Sequence, residues 1–182
     1  MTIDLIKSLE ELDDKRFELI VVDNASEIPF EYEGDVSFEL TIIHSEINSG
    51  FAGGNEIGMM KAKGEYLFLI NNDTEVHQSF VEPIVNCFKS HPNLGMLSVL
   101  LRFYDTRLIQ FAGATPLSKL TLRNESYGWG EKDAGQFKGY QPIGNIHGAA
   151  LIVPKILFEE LGGMGQPFFM YFEEDDWCAT FK

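Results

Sequence analysis

The chain has 182 residues, 45% of them hydrophobic, and a formal net charge of −14. This length and apolar content suit one globular domain and exclude a disordered chain. So acidic a surface repels nucleic acid and anionic lipid over most of its area, and we expect no nucleic-acid partner.

The chain up to residue 101 alternates between helical and strand patterns. Apolar residues recur at helical spacing from Ile3 to Leu12, whereas Phe17 to Asp23 is a short apolar run rich in β-branched residues. In chain order we predict a helix over residues 2–12, strands at 17–23 and 36–44, a helix over 53–64, a strand at 65–70, a helix over 79–92 and a strand at 94–101. This alternation predicts an α/β fold with a mostly parallel central sheet flanked by helices.

Residues 102–146 differ from the rest, because glycine and polar residues are frequent there and no period persists. A segment of this length and composition predicts a functional loop or lid with a weak hairpin or two. A strand at 147–154, a helix over 155–163 and a last helix that begins at residue 173 follow it.

The cysteines and the lengths of the apolar stretches bear on the cellular compartment of the protein. Cys87 and Cys178 fit no zinc-binding spacing, so we expect free thiols in a reducing environment. No apolar stretch approaches the ~20 residues of a membrane span. The N-terminus also lacks a basic segment followed by an apolar run, the pattern of a signal peptide. These features predict a cytoplasmic location.

Polar clusters follow several of the predicted strands. Asp23 and Asn24 follow the first strand, residues 71–73 (Asn-Asn-Asp) follow the third, and His147 begins the late one. Ligands of open α/β sheets bind beyond the carboxyl ends of the strands. Helix capping explains any one cluster equally well, because Asp and Asn are good N-caps. Several clusters that converge on one edge favour a binding site.

The segment NSGFAGGNEIG, residues 48–58, is rich in glycine and enters a predicted helix. A turn of this kind presents backbone N–H groups to a phosphate. A dinucleotide site would need G-x-G-x-x-G directly after the first strand. Here the spacing is G-x-x-G-G after a later strand, which disfavours a dehydrogenase.

The segment FFMYFEEDDWC, residues 168–178, places four acids in a row beside five aromatic residues. A helix N-terminus alone favours acids, through its macrodipole. Apolar walls would in addition raise the pKa of a carboxylate and suit it to general-base catalysis. We expect the aromatic residues to pack against the acids, and Trp177 and Tyr171 to offer flat faces to a sugar ring.

Five segments together resemble family 2 glycosyltransferases of the GT-A fold, most of all the rhamnosyltransferase-type bacterial members. The segments are VVDNAS, NSGFAGGNEIG, GEYLFLINND, GAALIVPKILFEELGGM and FFMYFEEDDWC, and they occur in the order and spacing of that family. The resemblance covers nearly the whole chain. It implies one GT-A domain over residues 1–182, with a nucleotide-binding part (1–101) and an acceptor-side part (102–182).

The resemblance also implies a role for each matching residue. Asp73 would hold Mg²⁺ or Mn²⁺ on the donor diphosphate, which explains why a core strand ends in polar residues. Glu174 would be the general base, with Asp175 as the other candidate. The implied donor-binding residues are Asp23, Asn24, Asn48, Gly50, Phe51, Gly54, Asn55 and Asn72. The implied acceptor-side residues are His147, Gly148, Glu173, Asp176 and Trp177.

The implied reaction is an inverting transfer from a UDP- or dTDP-sugar to a hydroxyl of a glycan or lipid-linked acceptor, as in cell-surface polysaccharide synthesis. A divalent ion neutralises the leaving diphosphate, and a carboxylate deprotonates the attacking hydroxyl. Single displacement with inversion follows the logic of inverting glycosidases. The full-length enzyme is expected to associate peripherally with the inner face of the membrane.

The chain departs from the family at three places. Asn71 occupies the first acidic position of the D-x-D element, and Met164-Gly165 stands where the family has Phe-Asp. The family's first apolar strand is also missing, so we expect a fragment truncated at both ends that self-associates through an exposed strand edge. Two alternatives therefore stay open. One is a catalytically incomplete fragment that binds a nucleotide or carbohydrate. The other is a sugar nucleotidyltransferase, for which Lys61 and Lys63 are the basic residues near the glycine segment.

Overall fold

A computed structural model describes residues 1–121, 123–164 and 168–181, so the predicted departure at Gly165 lies outside the described residues. The elements in chain order are α1 (Thr2–Glu10), β1 (Glu18–Asp23), β2 (Glu39–His44), α2 (Gly50–Lys61), β3 (Tyr66–Ile70), α3 (Val81–Ser90), β4 (Leu97–Ser98), β5 (Leu101–Arg102), β6 (Ile109–Phe111), β7 (Ala150–Pro154), α4 (Lys155–Leu161) and α5 (Glu173–Thr180). The α/β class is confirmed. The predicted strand at 94–101 is split into β4 and the start of the β5–β6 hairpin.

The prediction of a mostly parallel sheet is wrong. β1 and β2 are parallel, but β7 lies antiparallel between β3 and β4, and β5 pairs antiparallel with β6. The cause is the long segment between β6 and β7, which brings the chain back so that Ala150 lies opposite Ile70. Alternating helices and strands predict parallel pairs only where each helix connects two neighbouring strands.

The main core lies around β7, whose residues Leu151, Ile152 and Val153 are fully buried. Helix α5 and the segment between it and α4 cover one side of this strand, since Met164 and Trp177 belong to the same apolar cluster. A strand buried on both faces reads as a continuous apolar run, which is why residues 150–153 were recognisable in the sequence.

Helix α1 covers a second apolar cluster, with Leu5, Ile6 and Leu9 packed against Phe38. Its first turn lies at the carboxyl end of β3, where the Asn72 side-chain amide donates to Thr2 Oγ1 at 3.0 Å. None of the helices in the described part of the chain has the length and apolar character needed to cross a membrane.

Strands β1 and β3 belong to separate sheets and do not pair with each other. At their starting ends, Glu18 Oε1 accepts from the backbone N–H groups of Lys63 (2.5 Å) and Gly64 (3.1 Å), just before β3 begins. Above this bridge a cleft of about 730 Å³ separates the two strands and is lined by every residue of both. We call it the β1–β3 groove.

Trp177 lies inside the core, with 1% of its surface exposed. Its indole N–H donates to the carbonyl oxygen of Gly162 at 3.0 Å, and its ring meets Phe181 edge-on. The expectation that Trp177 offers a flat face to a sugar is therefore wrong. Its neighbours are core residues rather than solvent.

Replacing Trp177 with Phe should lower the free energy of unfolding by about 1–3 kcal/mol, because the smaller ring leaves a cavity and loses the hydrogen bond to Gly162. Trp129, which is 61% exposed, provides the matched control. Trp129→Phe should change the free energy of unfolding by less than about 0.5 kcal/mol. Urea denaturation of both variants measures the difference, and equal effects would contradict the buried role of Trp177.

Candidate active site

Asp23, the last residue of β1, is buried and accepts hydrogen bonds at both carboxylate oxygens. The backbone N–H of Ser26 donates to Oδ1 at 3.0 Å, and that of Phe30 donates to Oδ2 at 2.9 Å. His44 Nδ1 lies 3.2 Å from Oδ2. The bonds from Ser26 and then Phe30 hold the pKa of Asp23 well below its usual range. Asp23 therefore stays ionised and fixes the turn that follows β1.

The side chain of Asn24 connects the end of β1 to the start of α2. Its amide nitrogen donates to the carbonyl of Gly50 at 2.9 Å and to Asn48 Oδ1 at 3.2 Å. Its oxygen accepts from the backbone N–H (3.1 Å) and the hydroxyl (3.0 Å) of Ser49. A Cβ at Gly54 would lie only 3.0 Å from this amide nitrogen. The structure thus brings together the donor-side residues predicted around Asn24.

The start of α2 lies against residue 169, ahead of α5. Gly50 has φ +73°, and a Cβ there would lie 2.2 Å from the carbonyl oxygen of Phe169. The Phe51 N–H donates to that same oxygen at 2.9 Å, and Asn55 Nδ2 donates to the Phe51 carbonyl at 2.9 Å. Gly50 is therefore required for a close approach between two chain segments.

The polar end of β3 is more open than the glycine segment. Asn71 continues the strand pairing by donating its N–H to the carbonyl of Ala149 at 2.9 Å, whereas Asn72 and Asp73 are exposed. Among the described residues, no three His, Cys, Asp or Glu side chains are grouped to hold a metal ion. Magnesium is commonly held by one or two carboxylates together with substrate phosphates. A lone Asp73 fits that arrangement and not an all-protein metal site.

Glu174 has the environment expected of a general base. A Cβ built on Gly148 would lie 3.2 Å from Glu174 Oε1 and 3.6 Å from the ring of Phe51. Oε2 is buried and has no hydrogen-bond partner among the described residues. Burial raises the pKa of Glu174, and a backbone hydrogen bond from Gly148 opposes that rise only in part. Phe51 and Gly148 thus bring the glycine segment and this carboxylate together.

The other three acids of the cluster are placed differently. Asp175 Oδ1 accepts a short hydrogen bond from the side-chain amide of Asn145, which is itself buried. Glu173 is 4% exposed, with one carboxylate oxygen unpartnered, and Asp176 is exposed. Asn145 was not predicted as a site residue, since a single Asn in an irregular segment carries no spacing signal. The hydrogen bond to Asn145 fixes the position of the Asp175 carboxylate.

His147 is half-buried beside Phe111, with ring centroids 5.2 Å apart. Its Nδ1 lies 3.1 Å from the backbone N–H of Ala149, which donates to it. Burial lowers the pKa of His147. The ring is therefore neutral near pH 7, with its proton on Nε2, and it lies next to Gly148 in the chain.

The aromatic residues ahead of α5 do not wall in the acids as predicted. Phe169, Tyr171 and Phe172 are exposed, Tyr171 by 70%, and the ring near Glu174 is that of Phe51. Tyr171 and Phe172 both have φ +72°, the left-handed region that bulky residues rarely adopt. Tyr171 keeps the exposed face that the sequence predicted for it.

Solved structures with the same fold are found among nucleotide-binding proteins. The structure of S. aureus TarS residues 1–349 in complex with UDP superposes with a TM-score of 0.59 at 16% identity, covering 97% of this chain and 49% of that chain. The structure of GalNAc-T7 with UDP, GalNAc and Mn²⁺ gives 0.58 at 15% identity, covering 78% and 29%. The chain therefore has a mixed α/β fold of the GT-A-like class, as predicted.

Sequence comparison then gives the family. The profile of glycosyl transferase family 2 matches residues 2–162, and the chain belongs to that family. The low-salt glycan biosynthesis hexosyltransferase Agl10 of Haloferax volcanii is 26% identical over 168 residues, 88% of this chain and 52% of that protein. An uncharacterized glycosyltransferase of Haemophilus influenzae is 28% identical over 93 residues, 51% and 32% of the two chains. The chain thus spans about half the length of Agl10 and about a third of the length of the Haemophilus influenzae protein.

The raised pKa of Glu174 predicts how the Glu174→Gln variant responds to pH. The folded chain holds this proton more tightly than the unfolded chain, so the wild type loses stability as pH rises from 4.5 through the folded pKa. The variant lacks this loss. Its free energy of unfolding should therefore rise relative to that of the wild type across that window.

Urea denaturation at several pH values measures this difference. The control is Asn93→Gln, at an exposed position ahead of β4, for which the difference from the wild type should stay constant across the same window because neither side chain titrates. A difference for Glu174→Gln that stays flat or falls with pH would contradict the raised pKa.

Proposed function

We propose that the chain is the nucleotide-sugar part of a glycosyltransferase that moves a hexosyl group from a UDP- or dTDP-sugar to an acceptor hydroxyl. The observation that carries the proposal is the placement of Glu174, a carboxylate with a raised pKa and an unpartnered oxygen, at Gly148, which also borders Phe51 of the glycine segment. Membership of family 2 and the similarity to a hexosyltransferase support it.

In this proposal the Glu174 carboxylate accepts the proton of the acceptor hydroxyl as the hydroxyl oxygen attacks the anomeric carbon. The attack is in line with the leaving diphosphate, so the configuration at that carbon inverts. A carboxylate with a raised pKa suits this task, because general-base catalysis is most efficient when the pKa lies near the working pH. Asn145 holds Asp175 and thereby sets how the first turn of α5 presents Glu174.

The donor side is proposed to use the turn fixed by Asp23 and the segment fixed by Asn24. Since both Asp23 oxygens already accept hydrogen bonds, Asp23 shapes the nucleobase site through residues 24–30 rather than by direct contact. Asp73 would hold a divalent Mg²⁺ or Mn²⁺ that neutralises charge on the leaving diphosphate. Mn²⁺ accompanies UDP in the GalNAc-T7 structure, which supports this assignment.

The acceptor is proposed to approach between His147 and Tyr171. A neutral His147 donates from Nε2 to a sugar hydroxyl, and the exposed ring of Tyr171 covers an apolar sugar face. The proposed acceptor is a glycan or a lipid-linked molecule at the cytoplasmic face of the membrane. The proposed transferred group is a deoxyhexose such as rhamnose, and the proposed pathway is polysaccharide synthesis.

A second candidate function is nucleotide-sugar binding without catalysis. The open β1–β3 groove favours it, because the groove reaches Asp23, Asn24 and Asn72 and leaves one side of the proposed donor site without a strand. Release of UDP or dTDP from a panel of nucleotide-hexoses by the purified chain distinguishes the two functions. Binding without release would establish the second.

Glu174→Gln should lower the turnover of nucleotide release by about 10²–10⁴, since the base is lost, while donor affinity stays unchanged. Asp175→Asn is the matched control, because it removes the neighbouring charge and keeps a side chain that can face Asn145. It should retain most of the activity. If Asp175→Asn causes the large loss and Glu174→Gln does not, the base is wrongly assigned.

Asp73→Ala should abolish the part of UDP affinity that depends on Mn²⁺, as measured by calorimetry with and without the ion. The reason is that an exposed single carboxylate contributes to a metal site only together with the diphosphate. Asp13→Ala, at an exposed position near the end of α1, is the control and should bind UDP as the wild type does. Equal Mn²⁺ dependence in both variants would remove Asp73 from the site.

A further inference from the structure

We propose that Trp129 forms a second carbohydrate-binding site, a platform on which one sugar ring of a neutral oligosaccharide stacks. The residue lies in the segment between β6 and β7 and is 61% exposed. The inference rests on the proposed function in one respect, because it assigns the bound oligosaccharide to the acceptor. The stacking itself does not depend on that function.

A hydrogen-bonded turn presents Trp129 to solvent. The Glu131 N–H donates to the carbonyl of Gly128 at 2.9 Å, so Trp129 and Gly130 are the two central residues of the turn. Gly130 has φ +73°, whereas Trp129 is not among the residues with positive φ. This combination is a type II turn, which favours glycine at its third residue. The turn therefore fixes the direction in which the Trp129 side chain leaves the backbone.

Three contacts hold this turn against β6 and β5. The Gly130 N–H donates to the carbonyl of Ile109, and the Ile109 N–H donates to the carbonyl of Glu131, both at 2.8 Å. On β5, Arg102 Nε donates to Asp133 Oδ2 at 2.7 Å. A turn that is already fixed loses little conformational freedom on binding, which lowers the entropic cost of stacking a ligand on its ring.

Phe103 supports the indole of Trp129. The ring centroids are 5.0 Å apart and the interplanar angle is 80°, so the two rings meet edge to face. Phe103 is itself half-buried, and its N–H donates to the carbonyl of Leu108 at 3.0 Å. Most of the surface of Trp129 nevertheless stays open to solvent. The face of an aromatic ring carries partial negative charge and attracts the C–H groups on the flat side of a sugar.

Polar side chains follow Trp129 along the chain. Glu131 and Lys132 are exposed, and the Gln136 side-chain amide donates to Glu131 Oε2 at 3.3 Å. A carboxylate accepts hydrogen bonds, an ammonium group donates them, and a carboxamide does both. Sugar hydroxyls need partners of both kinds, whereas membrane binding needs a wide apolar face. One flat ring followed by polar residues therefore fits a sugar.

The charge of the segment favours a neutral ligand. Residues 102–146 hold six Lys or Arg and four Asp or Glu, whereas the whole chain has a net charge of −14. Near the turn, Arg102 is paired with Asp133. A polyanion is repelled by the rest of this acidic surface, and a polycation is attracted to that surface rather than to this segment. A neutral oligosaccharide is subject to neither effect.

Strand β6 connects the platform to the acceptor side of the candidate active site. Ile109 pairs with the Trp129 turn, and Phe111 contacts His147, with ring centroids 5.2 Å apart. Ile109 and Phe111 are about 7 Å apart along the strand. Because His147 is proposed to bind the reacting sugar, the platform holds a sugar farther along the same acceptor. The acceptor is therefore an oligosaccharide of several sugars.

The experiment uses the two tryptophans of the chain, one as the probe and the other as its internal control. The whole chain, isotopically labelled at tryptophan only, is titrated with cellohexaose, maltohexaose and mannohexaose, and the two indole N–H signals are followed by NMR. The Trp129 signal should shift and saturate with at least one of these neutral probes. The signal of Trp177, which is buried, should not move.

Trp129→Ala should weaken the affinity for that probe by about tenfold in calorimetry, because the stacked ring is lost. Leu120→Ala is the matched control, since it removes another exposed apolar side chain from the same segment and should bind as the wild type does. Equal affinities in the two variants overturn the proposal. So does the absence of a Trp129 shift with all three probes, because stacking depends on the flat side that these sugars share.

Two other outcomes also overturn the proposal. A Trp129 shift caused by phosphatidylcholine–phosphatidylglycerol vesicles and by none of the hexasaccharides would make the ring a membrane contact. A shift that depends on protein concentration alone would make it a contact with a second copy. The proposed function is tested separately by the release of UDP or dTDP. Release without a Trp129 shift removes the platform alone, whereas a shift without release keeps the platform and removes the transferase.

Discussion

The side chain of Asn24 fixes the end of β1 to the start of α2, and most of the candidate site depends on that connection. One carboxamide uses both its donors and its acceptor, on Asn48, Ser49 and Gly50. Glu18 makes the corresponding connection at the other end of the strand. Because β2 is the only strand that pairs with β1 among the described residues, these two side chains and α2 hold β1 in place. A half-buried amide whose donors and acceptor are all hydrogen-bonded is also costly to displace, so this edge of the site is rigid.

Phe51 links the two halves of the site. Its backbone N–H donates to Phe169, while its ring lies beside Gly148 and the carboxylate of Glu174. The glycine segment is therefore packed against the loop ahead of α5. Two parts of the chain that are far apart in sequence share one wall, so a molecule bound at the glycine segment lies within reach of the carboxylate.

The helices, the strands and the glycine segment can be predicted from sequence patterns. The direction of the strands and the burial of single side chains cannot. The apolar runs of β3 and β7 identify buried strands, but the pairing of Ile70 with Ala150 depends on the path of an aperiodic segment. Asn145 has no repeating partner that would mark it. Trp177 beside four acids is equally compatible with the core and with a ligand, and only packing distinguishes the two.

The two left-handed aromatic residues ahead of α5 have a dynamic consequence. Each costs about 1–2 kcal/mol relative to a relaxed backbone, and their exposed rings gain little burial in return. This loop therefore has a small energetic margin between alternative backbone paths, although the helix after it is anchored by Trp177. The exposed rings of Tyr171 and Phe172 are continuous with the first turn of α5, which carries Glu174. A molecule that contacts these rings therefore meets the part of the chain from which the Glu174 side chain extends.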